Sequence, residues 1–342
     1  MLPTKTRAYE IQGSFGLANL NQVERPLAAP GRGEVLLRMR AVSLNFRDLM
    51  MIDGIYNPRQ PLPLVPLSDG VGEVIAVGEG VSEVTVGERV MPAFAEGWLE
   101  GQPTRDKLAT TLGGPVPGVL CEHRVTPAAA VVRVPAHLSD AEAATLPCAA
   151  VTAWSALITH GQIKPGSRVL LQGTGGVSIF ALQFAVLAGA QVLITSSSNA
   201  KLERAKALGA AHTINYREDT DWGKSARDWS GGEGVDHVVE VGGAGTLANS
   251  LKAVRPGGSI SVIGVLSGAQ ESLSILPILM QQIRLQGILV GSRATFADMA
   301  WAIGSRRLHP VVDSTFAFDQ VREAVEHMRS GRHFGKVVIT ID

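Results

Sequence analysis

The chain has 342 residues, and its 31 Lys and Arg balance 31 Asp and Glu, so the formal net charge is zero. Hydrophobic residues make up 45% and charged residues 18%, a composition that is typical of a well-buried globular protein and excludes a disordered chain. Without a basic excess or a basic tract we expect neither a nucleic-acid partner nor a membrane surface, and two cysteines are too few for a disulfide framework or a structural zinc site.

The N-terminal part of the chain is predicted to be rich in β-strands. Its first residues lead into charged and polar positions without the apolar core of a signal peptide, so we expect a cytoplasmic protein. Apolar runs bounded by turn residues predict strands at 34–40 and 72–78, with a short helix at 46–52 between them. The segment 93–118 carries Gly, Pro and charge with little periodicity. A loop of this length is usually functional or mobile, and an inert surface insertion is the equal alternative.

Strands and helices alternate from Thr152 onward. The predicted strands are 168–172, 191–195, 212–215, 237–240 and 259–263, and the predicted helices are 179–187, 200–208 and 246–254. This alternation implies right-handed βαβ crossovers and a parallel sheet covered on both faces. After about residue 295 the pattern is mixed, and it ends in a predicted helix at 319–329 and strand at 336–340.

The longest apolar stretch, 177–195, is the one segment whose length suggests a membrane span. It contains Gln183, Gly189 and Gln191, which are unfavourable in a membrane-spanning helix. We therefore predict a buried helix, a turn and a strand in this segment.

A glycine-rich turn follows the apolar strand 168–172 directly and opens a helix. Gly173 permits a tight turn, and Gly175 lets the backbone approach a pyrophosphate at the helix N-terminus, where free N–H groups favour anions. Ser178 stands at the third glycine position of a G-x-G-x-x-G pattern and is small enough for close helix–strand packing. A strand, this turn and a helix in this order predict a dinucleotide site, against the alternative of a glycine-rich turn without a ligand.

The residue that selects the ribose is expected at the end of the next strand, about 20 residues further on, where NAD enzymes carry an acid. Here the segment 195–201 is Thr-Ser-Ser-Ser-Asn-Ala-Lys, with no acid before Glu203. Hydroxyls and an ammonium can hold a 2′-phosphate, and Lys201 suits the first turn of a helix poorly unless an anion is nearby. We therefore expect NADP, with NAD less favoured. The other interpretation of Lys201 is a solvated first-turn lysine.

With these motifs the chain resembles the medium-chain dehydrogenase/reductase superfamily over nearly its full length. The resemblance is carried by Gly70–Val81, Val86–Val90, the glycine-rich turn, Arg255–Gly258 and Gly335–Val338. It implies an α/β protein in two domains. Residues 151–292 would form a Rossmann domain with a doubly wound parallel sheet, and residues 1–150, with 293–342 returning to them, would form a β-rich GroES-like catalytic domain. It also implies a homodimer.

The resemblance also bears on metal binding. The zinc alcohol dehydrogenases of this superfamily place Cys, His and Cys around a catalytic zinc, and the corresponding positions here are Asn45, Ser68 and Cys148. A catalytic zinc needs three protein ligands, and Asn and Ser are poor substitutes for thiolate and imidazole. The four-cysteine lobe of the zinc enzymes has no counterpart, since Cys121 stands alone. We therefore expect a zinc-free branch and no metal.

That branch includes the quinone oxidoreductases and the enoyl reductases. Asn45–Asp48 resembles their N-x-x-D segment, which makes Asn45 and Asp48 catalytic candidates. Gly54–Tyr56 resembles their Gly-x-Tyr segment, whose tyrosine is implicated in proton donation. Tyr56 is therefore the candidate acid, and the alternative is a loop tyrosine whose hydroxyl caps a backbone group.

The same resemblance implies a set of cofactor contacts and a reaction. The contacts are predicted at Thr152, Gly173, Gly175, Gly176, Val177, Ser197, Ser198, Lys201, Tyr216, Gly264 and Lys336. The leading function is NADPH-dependent reduction of a small quinone, enone or other α,β-unsaturated carbonyl. Zinc-free oxidoreduction of alcohols and ketones is the enzymatic alternative. A non-catalytic NADPH-binding protein is the third, as resemblance to the lens crystallins of this superfamily permits.

Overall fold

The computed structural model describes residues 2–270 and 272–341. The chain divides into two compact units: unit 1 is residues 1–151 with 291–342, and unit 2 is residues 152–290. Within the described ranges no helix is long and apolar enough to cross a membrane.

The described residues form fifteen strands and eleven α-helices. The strands are β1 (Lys5–Ile11), β2 (Leu20–Pro26), β3 (Glu34–Ser43), β4 (Asp69–Val77), β5 (Arg89–Pro92), β6 (His123–Pro127), β7 (Val131–Arg133), β8 (Arg168–Gln172), β9 (Gln191–Ser196), β10 (His212–Asn215), β11 (Val235–Glu240), β12 (Val254–Val262), β13 (Arg284–Gly287), β14 (Val312–Ala317) and β15 (Lys336–Thr340). The α-helices are α1 (Phe46–Ile52), α2 (Arg105–Leu108), α3 (Asp140–Ala143), α4 (Val151–Trp154), α5 (Gly176–Leu187), α6 (Asn199–Ala207), α7 (Trp222–Trp229), α8 (Ala244–Ala253), α9 (Leu276–Met280), α10 (Arg293–Arg306) and α11 (Val321–Arg329).

Unit 1 is built on a mostly antiparallel sheet in the order β14-β15-β3-β4-β5-β7, with β6 also paired to β3 and β1-β2 as a separate hairpin. The long strand β3 pairs with β4, β6 and β15. Its Leu37, Met39 and Val42 are fully buried and belong to one core with Val74 of β4 and Ile339 of β15. The C-terminal strand is therefore part of the same core as the N-terminal strands, which brings residues near 45 and 336 together.

Unit 2 contains a parallel sheet in the order β10-β9-β8-β11-β12-β13. In chain order this is 3-2-1-4-5-6, the doubly wound Rossmann arrangement, whose order reverses between β8 and β11. The apolar interior of β8 is fully buried, and so are Phe180 and Phe184 of α5 on one face. The predicted α/β class, with a Rossmann sheet and a separate β-rich unit, is confirmed.

Two segments show how local prediction compares with the structure. The apolar stretch 177–195 is a helix, a turn and a strand, as predicted, because α5 ends at Leu187 and β9 begins at Gln191. The segment 93–118 is more structured than predicted. It contains α2 and isolated bridges that pair Ala95 with Thr111 and Leu112 with Val116.

Candidate functional sites

The glycine-rich turn lies at the carboxyl end of β8, beside the point where the strand order of unit 2 reverses. Gly173 has a φ of +70°, which a glycine adopts without strain. A Cβ built on Gly173 or on Gly175 would meet no atom within 4 Å, so both backbones border open space. Gly175 is the N-cap of the twelve-residue α5, with no side-chain cap, and Gly176 and Val177 are its first residues. The turn thus offers an open helix N-terminus that fits a pyrophosphate.

Ser178 explains why the third glycine can be replaced. Its hydroxyl donates a 2.6 Å hydrogen bond to the carbonyl of Gln172 at the end of β8, and its side chain is 2% exposed. The serine therefore ties α5 to the strand at the close approach where a glycine is usual.

A buried polar network behind the turn was missed by the sequence analysis. Nε2 of Gln172 donates hydrogen bonds to Glu240 and to Ser250, and each bond is 2.7 Å long. Glu240 is fully buried at the end of β11 and accepts from the backbone N–H groups of Gly242 and Gly243. The network fixes the carboxyl ends of β8 and β11 around the turn. The signal that could have found it is the polar residue at the end of each apolar strand.

The predicted ribose-selecting residues lie at the carboxyl ends of β9 and β10. Ser197 follows β9 directly, and Ser198 caps α6 by accepting from the backbone N–H of Lys201 at 3.4 Å. The backbone N–H of Tyr216 donates to the carbonyl of Ser196, and the ring of Tyr216 is 41% exposed. The structure therefore brings these predicted residues of two strands together.

A carboxylate also lies at this edge of unit 2, which the sequence analysis did not expect. Oε1 of Glu218 accepts from Asn199 at 2.9 Å and from Asn215 at 2.8 Å. Glu218 is 15 positions beyond Glu203 and is brought to the start of α6 only by the pairing of β10 with β9. The edge thus contains hydroxyls and an ammonium, which suit a 2′-phosphate, and an acid, which suits a ribose diol.

The two remaining predicted cofactor residues of unit 2 are placed differently. Thr152 is buried in α4. Gly264 follows β12, and a Cβ on it would come within 2.5 Å of the carbonyl oxygen of Val241, so backbone packing alone requires glycine there. Contacts of both residues with a cofactor stay predictions.

In unit 1, a polar cluster is buried where α1 begins. The Lys336 ammonium, from β15, donates hydrogen bonds to the carbonyl of Leu44 and to Oδ1 of Asn45, and each bond is 2.6 Å long. Asn45 is the N-cap of α1, and its backbone N–H donates to Asp48 Oδ2 over 2.7 Å. Lys336 was predicted as a cofactor contact. Its ammonium is bonded by oxygens inside unit 1, and a contact with the cofactor stays a prediction.

Asp69 lies beside this cluster at the start of β4. Its Oδ1 accepts from the hydroxyl of Ser68 over 2.7 Å, and its Oδ2 accepts from the backbone N–H of Cys148 over 3.0 Å. Asp48, Ser68 and Asp69 are fully buried. A lysine and two carboxyl groups are thus enclosed together, which proteins rarely do except at functional sites or in structural ion-pair networks.

Burial dominates the titration of this cluster. It raises the pKa of Asp48 to about 6, although Arg47 opposes the change, and it raises the pKa of Asp69 against the opposing charge of Lys336. Burial also lowers the pKa of Lys336, with Asp69 acting in the other direction. The pKa of the Cys148 thiol is raised by burial and then by Asp69, so the thiol keeps its proton at neutral pH.

The donors at these positions do not fit a catalytic zinc. Oδ1 of Asn45 is occupied by the ammonium of Lys336, and the hydroxyl of Ser68 is turned to Asp69. Of the three positions only Cys148 carries a side chain that a catalytic zinc ordinarily binds, and such a zinc needs three protein ligands. Among residues 2–270 and 272–341, no group of three His, Cys, Asp or Glu could hold a metal ion.

Tyr56, the candidate acid, lies on the loop after α1. The chain turns at Gly54, whose φ is +72°, and the backbone N–H of Tyr56 donates to the carbonyl of Met50. The side chain is 44% exposed, and its ring centroid is 5.2 Å from the guanidinium carbon of Arg47. The ring of Tyr56 is thus held by Arg47 on one side and open to solvent on the other, and its role as an acid stays a prediction.

Comparison with known proteins gives consistent matches. The alcohol dehydrogenase GroES-like domain model matches residues 31–136, and the zinc-binding dehydrogenase model matches residues 176–305. A zinc-type alcohol dehydrogenase-like protein of Schizosaccharomyces pombe is 46% identical over 316 residues, 91% of either chain. A second protein so described, from Leptosphaeria maculans, is 35% identical over 341 residues, 94% of either chain.

Solved structures agree with these relatives. A candidate alcohol dehydrogenase from Sinorhizobium meliloti 1021 superposes with a TM-score of 0.92 at 42% identity and covers both chains completely. An NAD-dependent alcohol dehydrogenase superposes with a TM-score of 0.90 at 33% identity, over 98% of this chain and 100% of that one. The chain therefore belongs to the medium-chain dehydrogenase/reductase superfamily. It is an oxidoreductase of the alcohol dehydrogenase type that uses a nicotinamide dinucleotide.

Proposed function

We propose that the protein is an NADPH-dependent reductase of quinones or α,β-unsaturated carbonyls that works without zinc. One observation carries the proposal: the ammonium of Lys336 bonds to Asn45, which stands at a position where the zinc enzymes of this superfamily carry a metal ligand. Two related proteins are named zinc-type, whereas the donors that this chain itself offers at the three positions support a reaction without zinc.

The lack of a suitable zinc site affects possible reactions unequally. A bound metal lowers the pKa of water from 15.7 to ~7, equivalent to ~12 kcal/mol of charge stabilisation. One preorganised hydrogen-bond donor supplies only ~2.7–4 kcal/mol. Alcohol oxidation must generate an alkoxide-like centre and therefore depends most on the metal. Conjugate reduction spreads its developing charge into an enolate and depends on it less.

In the proposed reaction the reduced nicotinamide, when bound, supplies a hydride to the β-carbon of an enone. The C=C π electrons move toward the carbonyl, and the α-carbon then takes a proton from the hydroxyl of Tyr56. Because the ring of Tyr56 is 44% exposed, solvent can return the proton to it. The products are the saturated carbonyl compound and the oxidised nicotinamide.

The polar cluster holds the start of α1 in place. Lys336 fixes Oδ1 of Asn45, and the carboxyl of Asp48 fixes the backbone N–H of Asn45. The start of α1 is thereby bonded on both sides. We assign Asn45 and Asp48 the role of orienting this end of α1.

The cofactor is proposed to be NADP in preference to NAD. Ser197, Ser198 and Lys201 supply hydroxyls and a positive charge at the start of α6, groups that suit a 2′-phosphate. Glu218 weakens the preference, since a carboxylate disfavours a second anion beside it. NADP binding that is tighter than NAD binding, but not exclusive, follows from this combination.

The proposed assembly is a homodimer formed through unit 2. β13 is the last strand of its sheet, and all four of its residues are exposed. Exposed apolar side chains also lie in α9 and at its N-cap, just before β13 in the chain: Ile275 at 73%, Leu279 at 70% and Met280 at 72%. An open strand edge is a pairing surface and exposed apolar side chains favour association, and a second copy of the same edge can pair with it by two-fold symmetry.

Oxidoreduction of alcohols and ketones is the second candidate, and the names of the relatives favour it. A screen that follows the absorbance of NADPH or NADH with quinones, enones, aldehydes, ketones and alcohols decides between the two. The proposal expects the fastest turnover with an enone or a quinone. Rapid oxidation of alcohols without turnover of enones or quinones would favour the second candidate, and no turnover at all would favour a non-catalytic dinucleotide-binding protein.

A further inference from the structure

We propose that Arg47 is a positioning residue that holds Tyr56 and the loop 93–118 in one arrangement. The inference rests on the proposed role of Tyr56 as the proton donor. It also assigns the loop a function, as one side of the support for that tyrosine.

Arg47 lies between two aromatic rings. It is in the first turn of α1 but only 9% exposed. Its guanidinium carbon is 5.2 Å from the ring centroid of Tyr56 and 5.0 Å from that of Phe94. A guanidinium within about 6 Å of an aromatic ring is attracted to its face, most strongly when water is excluded. One cation therefore attracts the ring of the proposed acid and a buried ring of the loop.

The same guanidinium bonds to the loop backbone. Nη1 donates to the carbonyl of Leu112 over 3.0 Å, and Nη2 donates to the carbonyl of Gly114 over 3.1 Å. The rigid fork of an arginine can satisfy two acceptors and stack on rings at once, which a lysine cannot do. Arg47 thus fixes both ends of the loop, through Phe94 near its start and Leu112 and Gly114 near its end.

The loop in turn packs closely on the backbone that precedes Ser68. A Cβ on Gly118 would come within 2.0 Å of the carbonyl oxygen of Leu67, and one on Gly113 within 2.8 Å of its backbone. Leu67 has a φ of +68°, a conformation that costs a leucine energy and persists only where the surroundings impose it. On one side, therefore, the loop is held by Arg47. On the other side, its glycines impose the backbone conformation of Leu67, which lies beside the polar cluster.

Arg124 offers a matched control for this arrangement. Its Nη1 also donates to two carbonyls of the loop, those of Pro117 and Gly118 over 2.7 and 3.1 Å, and its Nη2 donates to Glu96. Unlike Arg47, its guanidinium contacts no ring in the described part of the chain. Each of Arg47→Met and Arg124→Met thus removes a guanidinium that bonds to two loop carbonyls and pairs with a carboxylate, Asp48 at 3.6 Å for Arg47 and Glu96 at 2.8 Å for Arg124. Only Arg47→Met removes the contact with Tyr56.

The first experiment measures steady-state reduction of 2-cyclohexenone by NADPH. Arg47→Met should lower kcat about tenfold, the size expected for the loss of one cation–π contact whose ring is partly exposed, with the Kd of NADPH unchanged. Arg47→Lys, which keeps the charge, should recover part of that loss, and Arg124→Met should stay within about twofold of the parent. In a Tyr56→Phe background Arg47→Met should have almost no further effect on kcat, because its action passes through the hydroxyl. A fully additive loss, or an unchanged kcat in Arg47→Met, overturns the proposal.

The second experiment measures amide hydrogen exchange and does not depend on the reaction. Arg47→Met should speed exchange both in residues 53–60 and in the loop 93–118, whereas Arg124→Met should speed exchange in the loop alone. If residues 53–60 are unaffected by Arg47→Met, Arg47 does not position Tyr56. If the parent reduces no enone or quinone while the exchange result holds, the proposed function fails and the positioning of Tyr56 by Arg47 stands.

Discussion

The ammonium of Lys336 donates a 2.6 Å hydrogen bond to Oδ1 of Asn45, although 291 positions separate the two residues. The bond places the side-chain nitrogen of a lysine on the residue that, by the resemblance, stands where the zinc enzymes of the superfamily carry a metal ligand. Since burial lowers the pKa of Lys336 and the charge of Asp69 opposes this, the carboxylate of Asp69 supports the charged form of the lysine. The proposed absence of zinc follows from this pair.

Removal of the Tyr56 hydroxyl tests the proposed proton donor. Tyr56→Phe should lower kcat for enones by roughly 10²–10⁴-fold, the usual contribution of a general acid, with the Kd of NADPH unchanged. Quinones should lose less, because their reduced forms can take protons from solvent. Tyr9→Phe is the control, since Tyr9 packs against Phe318 in unit 1. Enone turnover by Tyr56→Phe at the rate of the parent would exclude Tyr56 as the acid.

The choice of cofactor is tested at the start of α6. Fluorescence titration should show that NADPH binds more tightly than NADH, and Lys201→Ala should narrow the difference about tenfold, since a charge-assisted hydrogen bond contributes ~1.5–3 kcal/mol. Lys206→Ala, on the same helix and paired with Glu203, should leave the ratio unchanged. Glu218→Gln should widen the preference for NADPH. Equal affinities for both cofactors in the parent would contradict the assignment.

The burial of Asp48 predicts a pH-dependent stability difference. Its pKa is raised from 3.8 to about 6, so the folded state binds the proton more tightly, and this carboxyl destabilises the fold increasingly as pH rises from about 4 to 6. Asp48→Asn removes the charge, and its side-chain oxygen can still accept from Asn45. The free energy of unfolding of the variant minus that of the parent should therefore be larger at pH 8 than at pH 4, by up to ~3 kcal/mol.

Urea unfolding of both proteins at the two pH values measures this difference directly. The buried His237, whose pKa is lowered to about 4 mainly by burial, destabilises both proteins below pH 6.5, and its effect cancels in the comparison. A difference between Asp48→Asn and the parent that is the same at pH 4 and pH 8 would show that the carboxyl is not desolvated in the folded protein.

The proposed dimer is tested by light scattering after gel filtration. The parent should have a mass near twice 36.1 kDa, and Leu279→Glu with Leu285→Glu, around β13, should yield the monomer, because a buried charge without a partner opposes association. Trp301→Glu, at a side chain in unit 1 that is 76% exposed, is the matched control and should remain dimeric. A monomeric parent at micromolar concentration would contradict the proposed assembly.

Much of the fold could be predicted because its signals are local. The turn at Gly173 follows an apolar strand directly, and the alternation after Thr152 fixes strand and helix types, from which the parallel sheet follows. Gln172 and Glu240 can also be found from the local sequence, because each is a polar residue at the end of an apolar strand. Their hydrogen-bond partners are visible only in the folded chain.

The contacts of the candidate site have no such local signal. Lys336 meets Asn45 because β15 pairs antiparallel with β3, with Val338 opposite Ser43, and nothing in either short sequence specifies that register. Arg47 meets Phe94 because the loop closes over α1. In both cases, side-chain contacts formed between distant segments decide the chemistry, and their positions depend on the packing of the whole of unit 1.

The metal content of an active preparation tests the central claim most directly. We predict that the purified protein contains far less than one zinc per chain by elemental analysis, and that its reduction of an enone or a quinone by NADPH is unchanged after dialysis against a strong chelator. About one zinc per chain, together with activity that is lost on chelation and restored by added zinc, would contradict the account.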